Sequence, residues 1–133
     1  MVEITSKTKS KINLSLVKKT VLKFLESYKL SEKEVSIAFV GSMRMKELNK
    51  KYRKKDKLTD VLSFSGENNF LGEIVINYTQ IKKQAKKFNN NPTEELVFIL
   101  VHGLLHLLGY KDETEVGQRE MEKLGEKFIK SIK

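Results

Sequence analysis

The sequence predicts an α+β fold, a small four-stranded mixed sheet with helices packed on it. Apolar residues alternate with polar ones in short segments within the first 76 residues, which is typical of strands. Segments in which apolar residues recur at helical spacing lie between the early strands and make up most of the second half of the chain. The 133 residues contain no internal repeat, low-complexity tract or long linker, so we expect a single domain over residues 1–133.

The first part of the chain is expected to alternate strands with helices. Val2 and Ile4 alternate with polar residues in a first strand, and Asn13 is placed to cap a helix whose apolar residues recur at helical spacing. Alternation over residues 34–40 predicts a second strand. Ser42 is then expected to cap a second helix.

The middle of the chain is expected to form two more strands and a helix. Residues 53–60 are polar and predict a loop, in which Asp60 is expected to shape the entry to the next strand. The apolar runs 61–64 and 70–76 predict strands on either side of a turn. Apolar residues at helical spacing up to Phe88 then predict a third helix.

The fourth helix has the strongest boundary signals in the chain. Asn91 is a favoured N-cap residue, Pro92 suits the first helical position, and Glu94 follows the cap by three residues. Gly109 is expected to end this helix. Residues 96–108 contain no Asp, Glu, Lys or Arg, so the helix is apolar nearly all round, as a buried helix is. A last helix follows, with Val116 and Phe128 among its apolar residues.

Composition and charge exclude several functions. The chain has no cysteine, so it has no disulfide, thiolate metal ligand or cysteine nucleophile. No apolar run approaches the roughly 18 residues of a membrane span, and residues 1–10 lack the apolar centre of a signal peptide, so we expect a cytoplasmic protein without a membrane partner. The 26 Lys and Arg against 17 Asp and Glu give a net charge of +9, which favours an anionic partner such as nucleic acid. A merely solvated lysine-rich surface is the alternative.

The two histidines are the main chemical feature. His102 and His106 are four residues apart in the apolar helix, so both imidazoles lie on one face and can bind a single metal ion. A lone histidine in such a helix is more often a hydrogen-bonded core residue, but two buried imidazoles both need partners, and one ion satisfies both. Asp112 can approach as a third ligand, while Glu113 and Glu115 are rival ligands or bases. The central helix is therefore predicted to bind a metal, as the central helix of metalloproteases does.

The run His-Gly-Leu-Leu-His-Leu-Leu-Gly-Tyr at residues 102–110 resembles the signature of the YbeY family, which reads H-G-x-L-H-L-x-G-Y-D-H. Further segments that are similar to the family occur in the same order at residues 48–64 and 71–76, and the resemblance extends to Gly125. This chain departs from the signature at two positions. Asp112 stands where the family has its third histidine, and Lys111 stands where it has aspartate.

The resemblance implies a single-strand-specific, metal-dependent endoribonuclease in which metal-activated water attacks the phosphodiester of ribosomal RNA. It implies a role in maturation of the small-subunit 3′ end and in ribosome quality control. Implied partners are ribosomal particles, with ribosomal proteins or a GTPase as further candidates. The implied metal is one divalent ion, zinc by preference, held by His102, His106 and Asp112. By position Arg53 is the family's functional arginine, so the implied catalytic residues are Arg53, His102 and His106.

Two other functions stay open. The chain can be an RNA-binding ribosome assembly factor whose metal is structural, which would require a closed site with four ligands. A metallopeptidase is a weaker alternative, because Gly103 stands where peptidases with the H-E-x-x-H motif carry their glutamate base. Arg53 has an alternative of its own, as a solvated residue at a helix end.

Overall fold

A four-stranded mixed sheet organises the computed structural model, which describes residues 1–54 and 59–133. The strand order is β1-β2-β4-β3; β1, β2 and β4 run parallel, and β3 pairs antiparallel with β4 at one edge. This topology confirms the predicted α+β fold with a mixed sheet. The elements in chain order are β1 (Val2–Ser6), α1 (Leu14–Ser27), β2 (Glu34–Phe39), α2 (Ser42–Arg53), β3 (Val61–Ser65), β4 (Phe70–Ile76), α3 (Tyr78–Lys87), α4 (Pro92–Leu107) and α5 (Glu115–Ser131).

The two faces of the sheet bury apolar side chains against different helices. Because side chains alternate along a strand, Ile37 and Ile74 face one way while Ala38 and Val75 face the other. The first face carries the larger core, which includes residues of α1, α3, α4 and α5. The second face carries a smaller apolar cluster around Met45 of α2. None of the described helices combines the length with the apolar character that crossing a membrane requires.

Several predictions at element ends are wrong. Ser42 is not a cap: Gly41 occupies the N-cap position of α2 without a side-chain bond, and the Ser42 hydroxyl instead accepts a hydrogen bond from Asn77 at 3.3 Å. Arg53, placed by prediction in the loop, lies in the last turn of α2. Phe88 and Val116 were expected on apolar helix faces but are 65% and 69% exposed. The rest of the predicted loop, residues 55–58, lies outside the described residues.

Helix α4 begins as its sequence predicts. The Asn91 side-chain oxygen accepts hydrogen bonds from the backbone N–H groups of Thr93 at 2.8 Å and Glu94 at 3.2 Å, and Pro92 is the first helical residue. These bonds satisfy donors that an uncapped helix would leave without partners. Gly109, just beyond the helix, has a φ of 99°, which a side chain would oppose. The helix that carries both histidines therefore has defined ends.

Helix α4 also packs unusually closely against the sheet at Gly103. The Ser63 hydroxyl of β3 donates a hydrogen bond to the Gly103 carbonyl at 3.3 Å. A Cβ atom at Gly103 would lie 3.2 Å from both the Ser63 hydroxyl and a methyl carbon of Ile74, which is tighter than ordinary contact. Glycine is therefore the residue that lets this helix approach β3 and β4. This close packing fixes the distance between the sheet and the backbone of the adjacent His102.

Loss of the α4 cap is expected to destabilise the protein. In Asn91→Ala the N–H groups of Thr93 and Glu94 lose their acceptor, so we expect the free energy of unfolding to fall by about 1 kcal/mol. Urea denaturation followed by circular dichroism measures this change. Asn91→Asp, which keeps an acceptor oxygen, is the matched control and should retain most of the stability. Equal losses in the two variants would contradict the capping role.

Candidate metal centre

Three donor atoms converge at the C-terminal end of α4. The Nε2 atoms of His102 and His106 lie 3.2 Å apart. The Oδ2 atom of Asp112 lies 3.0 Å from the His102 Nε2 and 3.4 Å from the His106 Nε2. The three side chains are partly accessible, with 21%, 29% and 39% of their surface exposed for His102, His106 and Asp112 respectively. The residues predicted as metal ligands thus form a compact triangle that solvent can reach.

The size of this triangle fits a small divalent cation. In a tetrahedral site with metal–ligand bonds of about 2.0–2.1 Å, neighbouring ligand atoms are about 3.3 Å apart. The three observed separations, from 3.0 to 3.4 Å, bracket that value. Two imidazoles and one carboxylate are also a normal donor set for zinc. The residues present can therefore hold a metal ion.

Helical geometry and a backbone bond orient the two imidazoles. His102 and His106 are one turn apart, so their side chains lie one above the other on the same helix face. The Nδ1 of His106 lies 3.0 Å from the Tyr110 carbonyl oxygen. Because a carbonyl oxygen only accepts, His106 must carry a proton on Nδ1, which leaves the lone pair of its neutral form on Nε2. Hydrogen bonding of this kind fixes the tautomer that binds metal.

The turn that carries Asp112 is anchored on the first turn of α5. Thr114 caps α5, and its hydroxyl accepts a hydrogen bond from the Gly117 N–H at 3.0 Å. A Cβ atom at Gly117 would lie 2.4 Å from the Lys111 carbonyl oxygen, which no real structure tolerates. Gly117 therefore allows the backbone beside Asp112 to rest directly on α5. The sequence alone does not predict this contact, because its only signal is a glycine in the first turn of a helix.

The electrostatic surroundings favour the ionised form of Asp112. Burial acts to raise the pKa of Asp112, but the hydrogen bond with His102 and the electrostatic interaction with the two neighbouring imidazoles outweigh it, and the pKa is lowered. The carboxylate is the form that binds a cation. Glu113 and Glu115 were rival ligands in the sequence analysis. Among the described residues, the group that can hold a metal consists of His102, His106 and Asp112, without either glutamate.

Asp60 adds a further carboxyl group to the surroundings of the triad. Its backbone carbonyl accepts a hydrogen bond from the Asn77 N–H at 2.9 Å, in keeping with the predicted role at the entry to β3. Burial raises the pKa of the Asp60 carboxyl, and the charge of His102 acts in the opposite direction. The electrostatic influence of His102 on Asp60 is not evident from the sequence.

Arg53 is not bonded to the triad. It is exposed at the end of α2, and no hydrogen bond or ion pair among the described residues joins it to His102, His106 or Asp112. The neighbouring Tyr52 packs edge-on against Phe64 of β3, with ring centroids 5.2 Å apart. Strand β3 also contacts α4 next to His102, so it connects the end of α2 with the helix of the triad. The catalytic role of Arg53 stays a prediction.

A groove of about 630 Å³ lies on the second face of the sheet, beside α2. Its lining includes Lys7, Arg44 and Tyr52, whereas His102, His106 and Asp112 do not line it. This groove is therefore separate from the donor triangle. The triad sits at an open surface on the helix side of β3.

The close packing of Gly103 bears on the peptidase alternative. A glutamate base in that position would have to place its side chain where Ser63 and Ile74 already lie at 3.2 Å from a Cβ atom. The helix thus lacks the glutamate, and a side chain at this position would require Ser63 or Ile74 to shift. The geometry does not support a peptidase of the H-E-x-x-H type.

Fold and site together define an α+β protein with a candidate three-ligand metal centre, the number of protein ligands that catalytic rather than structural zinc sites have. The chain belongs to the YbeY family, because the family model described as endoribonuclease YbeY matches residues 2–133.

Individual relatives agree with this assignment. A Thermodesulfovibrio yellowstonii protein named endoribonuclease YbeY is 48% identical over 107 residues, which cover 74% of this chain and 67% of the relative. A Campylobacter jejuni protein of the same name is 45% identical over 107 residues, covering 75% and 79%. A solution structure of a Thermotoga maritima protein superposes with a TM-score of 0.71 at 28% identity and covers 97% of this chain and 87% of that one.

Adding a methyl group at Gly117 is expected to weaken metal binding without altering a ligand. In Gly117→Ala the new Cβ displaces the Lys111 carbonyl, and Asp112 moves with it. We expect zinc affinity to fall by about 10- to 100-fold, the usual range for changes to groups that support metal ligands. Competition titration against a chromophoric zinc chelator measures this change.

Gly125→Ala is the matched control for Gly117→Ala. Gly125 lies in the same helix, but its added Cβ would be 3.8 Å from its nearest neighbour, a side-chain carbon of Val101, which is ordinary contact. Zinc affinity should be unchanged in this variant. Unchanged affinity in Gly117→Ala as well would show that the contact between the turn and α5 does not position Asp112.

Proposed function

We propose that this chain is a metal-dependent endoribonuclease that cleaves single-stranded RNA. The observation that carries the proposal is the triangle of His102, His106 and Asp112, whose three donor atoms lie 3.0–3.4 Å apart and are open to solvent. Membership of the YbeY family supports it, since the relatives described above are named endoribonucleases. The proposed substrate is ribosomal RNA near the small-subunit 3′ end, with roles in its maturation and in ribosome quality control.

The three ligands have distinct tasks in this proposal. His102 and His106 bind a divalent metal, for which zinc is proposed, through Nε2, and Asp112 binds it through a carboxylate oxygen. When bound, such a metal supplies a Lewis acid and activates water for attack on a phosphodiester. The Tyr110 carbonyl keeps His106 in the binding tautomer. Asp112 adds a negative charge that a third histidine would not, which makes the centre less electropositive than the family's three-histidine site.

Arg53 is proposed to bind a phosphate of the RNA. A guanidinium group presents its donors in a fork that matches two phosphate oxygens, and Arg53 is exposed at the end of α2, where such a ligand can reach it. Exposed lysines surround it on the same helix end, at Lys50, Lys51 and Lys54. Together with the net charge of +9, they create a surface that attracts a polyanion. In the proposed mechanism Arg53 stabilises the charge that develops on the phosphate.

The number of ligands favours catalysis over a structural metal. The group that can hold a metal has three members in the part of the chain that the structure describes, and a structural zinc site uses four. The assembly-factor alternative predicts a fourth protein ligand and RNA binding without cleavage.

The proposed cellular setting follows from the proposed substrate. We expect a cytoplasmic protein that meets its RNA on ribosomal particles, with ribosomal proteins or a GTPase as further partners. Residues 1–133 are proposed to act as one domain.

A cleavage assay with metal added back tests the proposal. The protein is stripped with a chelator, and small-subunit precursor RNA and a fully duplexed RNA are incubated with it before and after zinc is restored. We expect zinc-dependent cleavage of the single-stranded regions alone. RNA binding without cleavage would favour the assembly factor, and zinc-dependent digestion of casein would favour a peptidase.

Removing one histidine is expected to abolish both metal binding and cleavage. In His102→Ala the centre keeps only two donors, which is too few for a stable catalytic site. Elemental mass spectrometry of the purified variant should find no stoichiometric metal, and RNA cleavage should fall below detection. Glu113→Gln is the control, because Glu113 neighbours Asp112 without joining the triad. Full activity in His102→Ala would exclude the mechanism.

Replacing Arg53 should impair cleavage without affecting the metal. In Arg53→Ala the phosphate loses its bidentate partner, so we expect kcat/KM for RNA to fall by about 100-fold while zinc affinity stays unchanged. Arg44→Ala is the matched control: Arg44 is an exposed arginine of the same helix that pairs with Glu47 at 3.3 Å. Equal losses of kcat/KM in the two variants would contradict a specific role of Arg53 in binding the phosphate.

A further inference from the structure

Phe98 is an exposed aromatic residue in a helix whose other large apolar side chains are buried or half-buried. The side chains that α4 buries fully include Leu96, Leu100 and Leu104, whereas Phe98 is 37% exposed. It is the one residue of α4 among the exposed large apolar side chains of the described chain. Core packing therefore does not account for this ring.

Phe98 lies directly beside the metal centre. It precedes His102 by one helical turn, so Phe98, His102 and His106 follow one another along the same face of α4. The rings of Phe98 and His102 are nearly parallel, with an interplanar angle of 24° and 6.4 Å between their centroids. An aromatic surface thus continues from the metal ligands toward the start of the helix.

Phe88, another exposed phenylalanine, shows the contrast. Phe88 is 65% exposed at the end of α3, and the Lys87 ammonium lies 5.6 Å from its ring centroid. Its ring already has a cation as neighbour and is not in contact with the triad in the described residues. Phe98 instead has its ring contact with a proposed metal ligand. Both phenylalanines are exposed, so exposure alone does not single out Phe98. What distinguishes Phe98 from Phe88 is that its exposed ring lies beside the candidate metal centre.

We propose that Phe98 is a substrate-binding residue on which an unpaired nucleobase of the RNA stacks, next to the phosphate held at the metal centre. This inference rests on the proposed function and adds the structural basis of its preference for single strands. Every base has an aromatic face, so stacking on Phe98 requires no particular sequence. In a duplex both faces of a base are covered by its neighbours, so it reaches such a ring only after unstacking.

The test compares RNA binding by three variants of the full chain. Affinity for a short, unstructured, fluorescently labelled RNA is measured by anisotropy in the presence of a chelator, so that binding is read without cleavage. We expect Phe98→Ala to weaken binding by about 5- to 150-fold, the range that corresponds to loss of one base–aromatic stack. Phe98→Tyr should retain the affinity, and Phe88→Ala, the matched control, should bind like the unmodified protein.

A second measurement changes the RNA instead of the protein. An otherwise identical RNA whose central nucleotides are abasic should bind the unmodified protein more weakly by a similar factor, and Phe98→Ala should not discriminate between the two RNAs. Equal binding of both RNAs by the unmodified protein would overturn the inference, even if Phe98→Ala proved unable to fold. Unchanged affinity in a folded Phe98→Ala would overturn it too.

The outcomes separate this inference from the proposed function. Zinc-dependent cleavage by both the unmodified protein and Phe98→Ala, with equal affinity for intact and abasic RNA, would overturn the stacking role and leave the nuclease in place. Absence of both RNA binding and cleavage in the unmodified protein would overturn the proposed function and with it the stacking role.

Discussion

The convergence of His102, His106 and Asp112 is the geometric constraint that the packing around α4 has to satisfy. Two imidazole nitrogens lie 3.2 Å apart with a carboxylate oxygen within 3.4 Å of both. If both nitrogens carried a proton, those protons would point at each other, so the arrangement suits a single cation shared among the three donors. The surrounding packing has to hold the donors together, at least until a metal binds them.

Two close backbone approaches, one on each side of the triad, provide that packing. Gly103 lets α4 pack closely against β3 and β4, which fixes the distance of the adjacent His102 from the sheet. Gly117 lets the turn after α4 rest on α5, which sets the position of the carboxylate. Both approaches draw on the apolar core that α4 and α5 share with the sheet. The geometry of a few polar atoms at the surface therefore depends on the burial of apolar residues beneath them.

The sequence predicts well whatever depends on near neighbours in the chain. The start of α4 follows from Asn91 and Pro92, and the helical spacing of His102 and His106 places both on one face. Features that depend on distant residues were not predictable in this way. Ser42 resembles a cap, yet its hydroxyl contacts Asn77, thirty-five positions away. The exposure of Phe98 likewise depends on how whole helices pack, because a helix that is apolar all round does not show which side stays open.

Anomalous diffraction from crystals grown with zinc would show directly whether the triad binds a metal. We expect one anomalous peak within bonding distance of the Nε2 atoms of His102 and His106 and of an Asp112 carboxylate oxygen, with the fourth position free of protein ligands. A peak surrounded by four protein ligands would identify a structural metal and contradict a catalytic centre. A zinc-saturated crystal without a peak at the triad would show that the three side chains do not form a metal site.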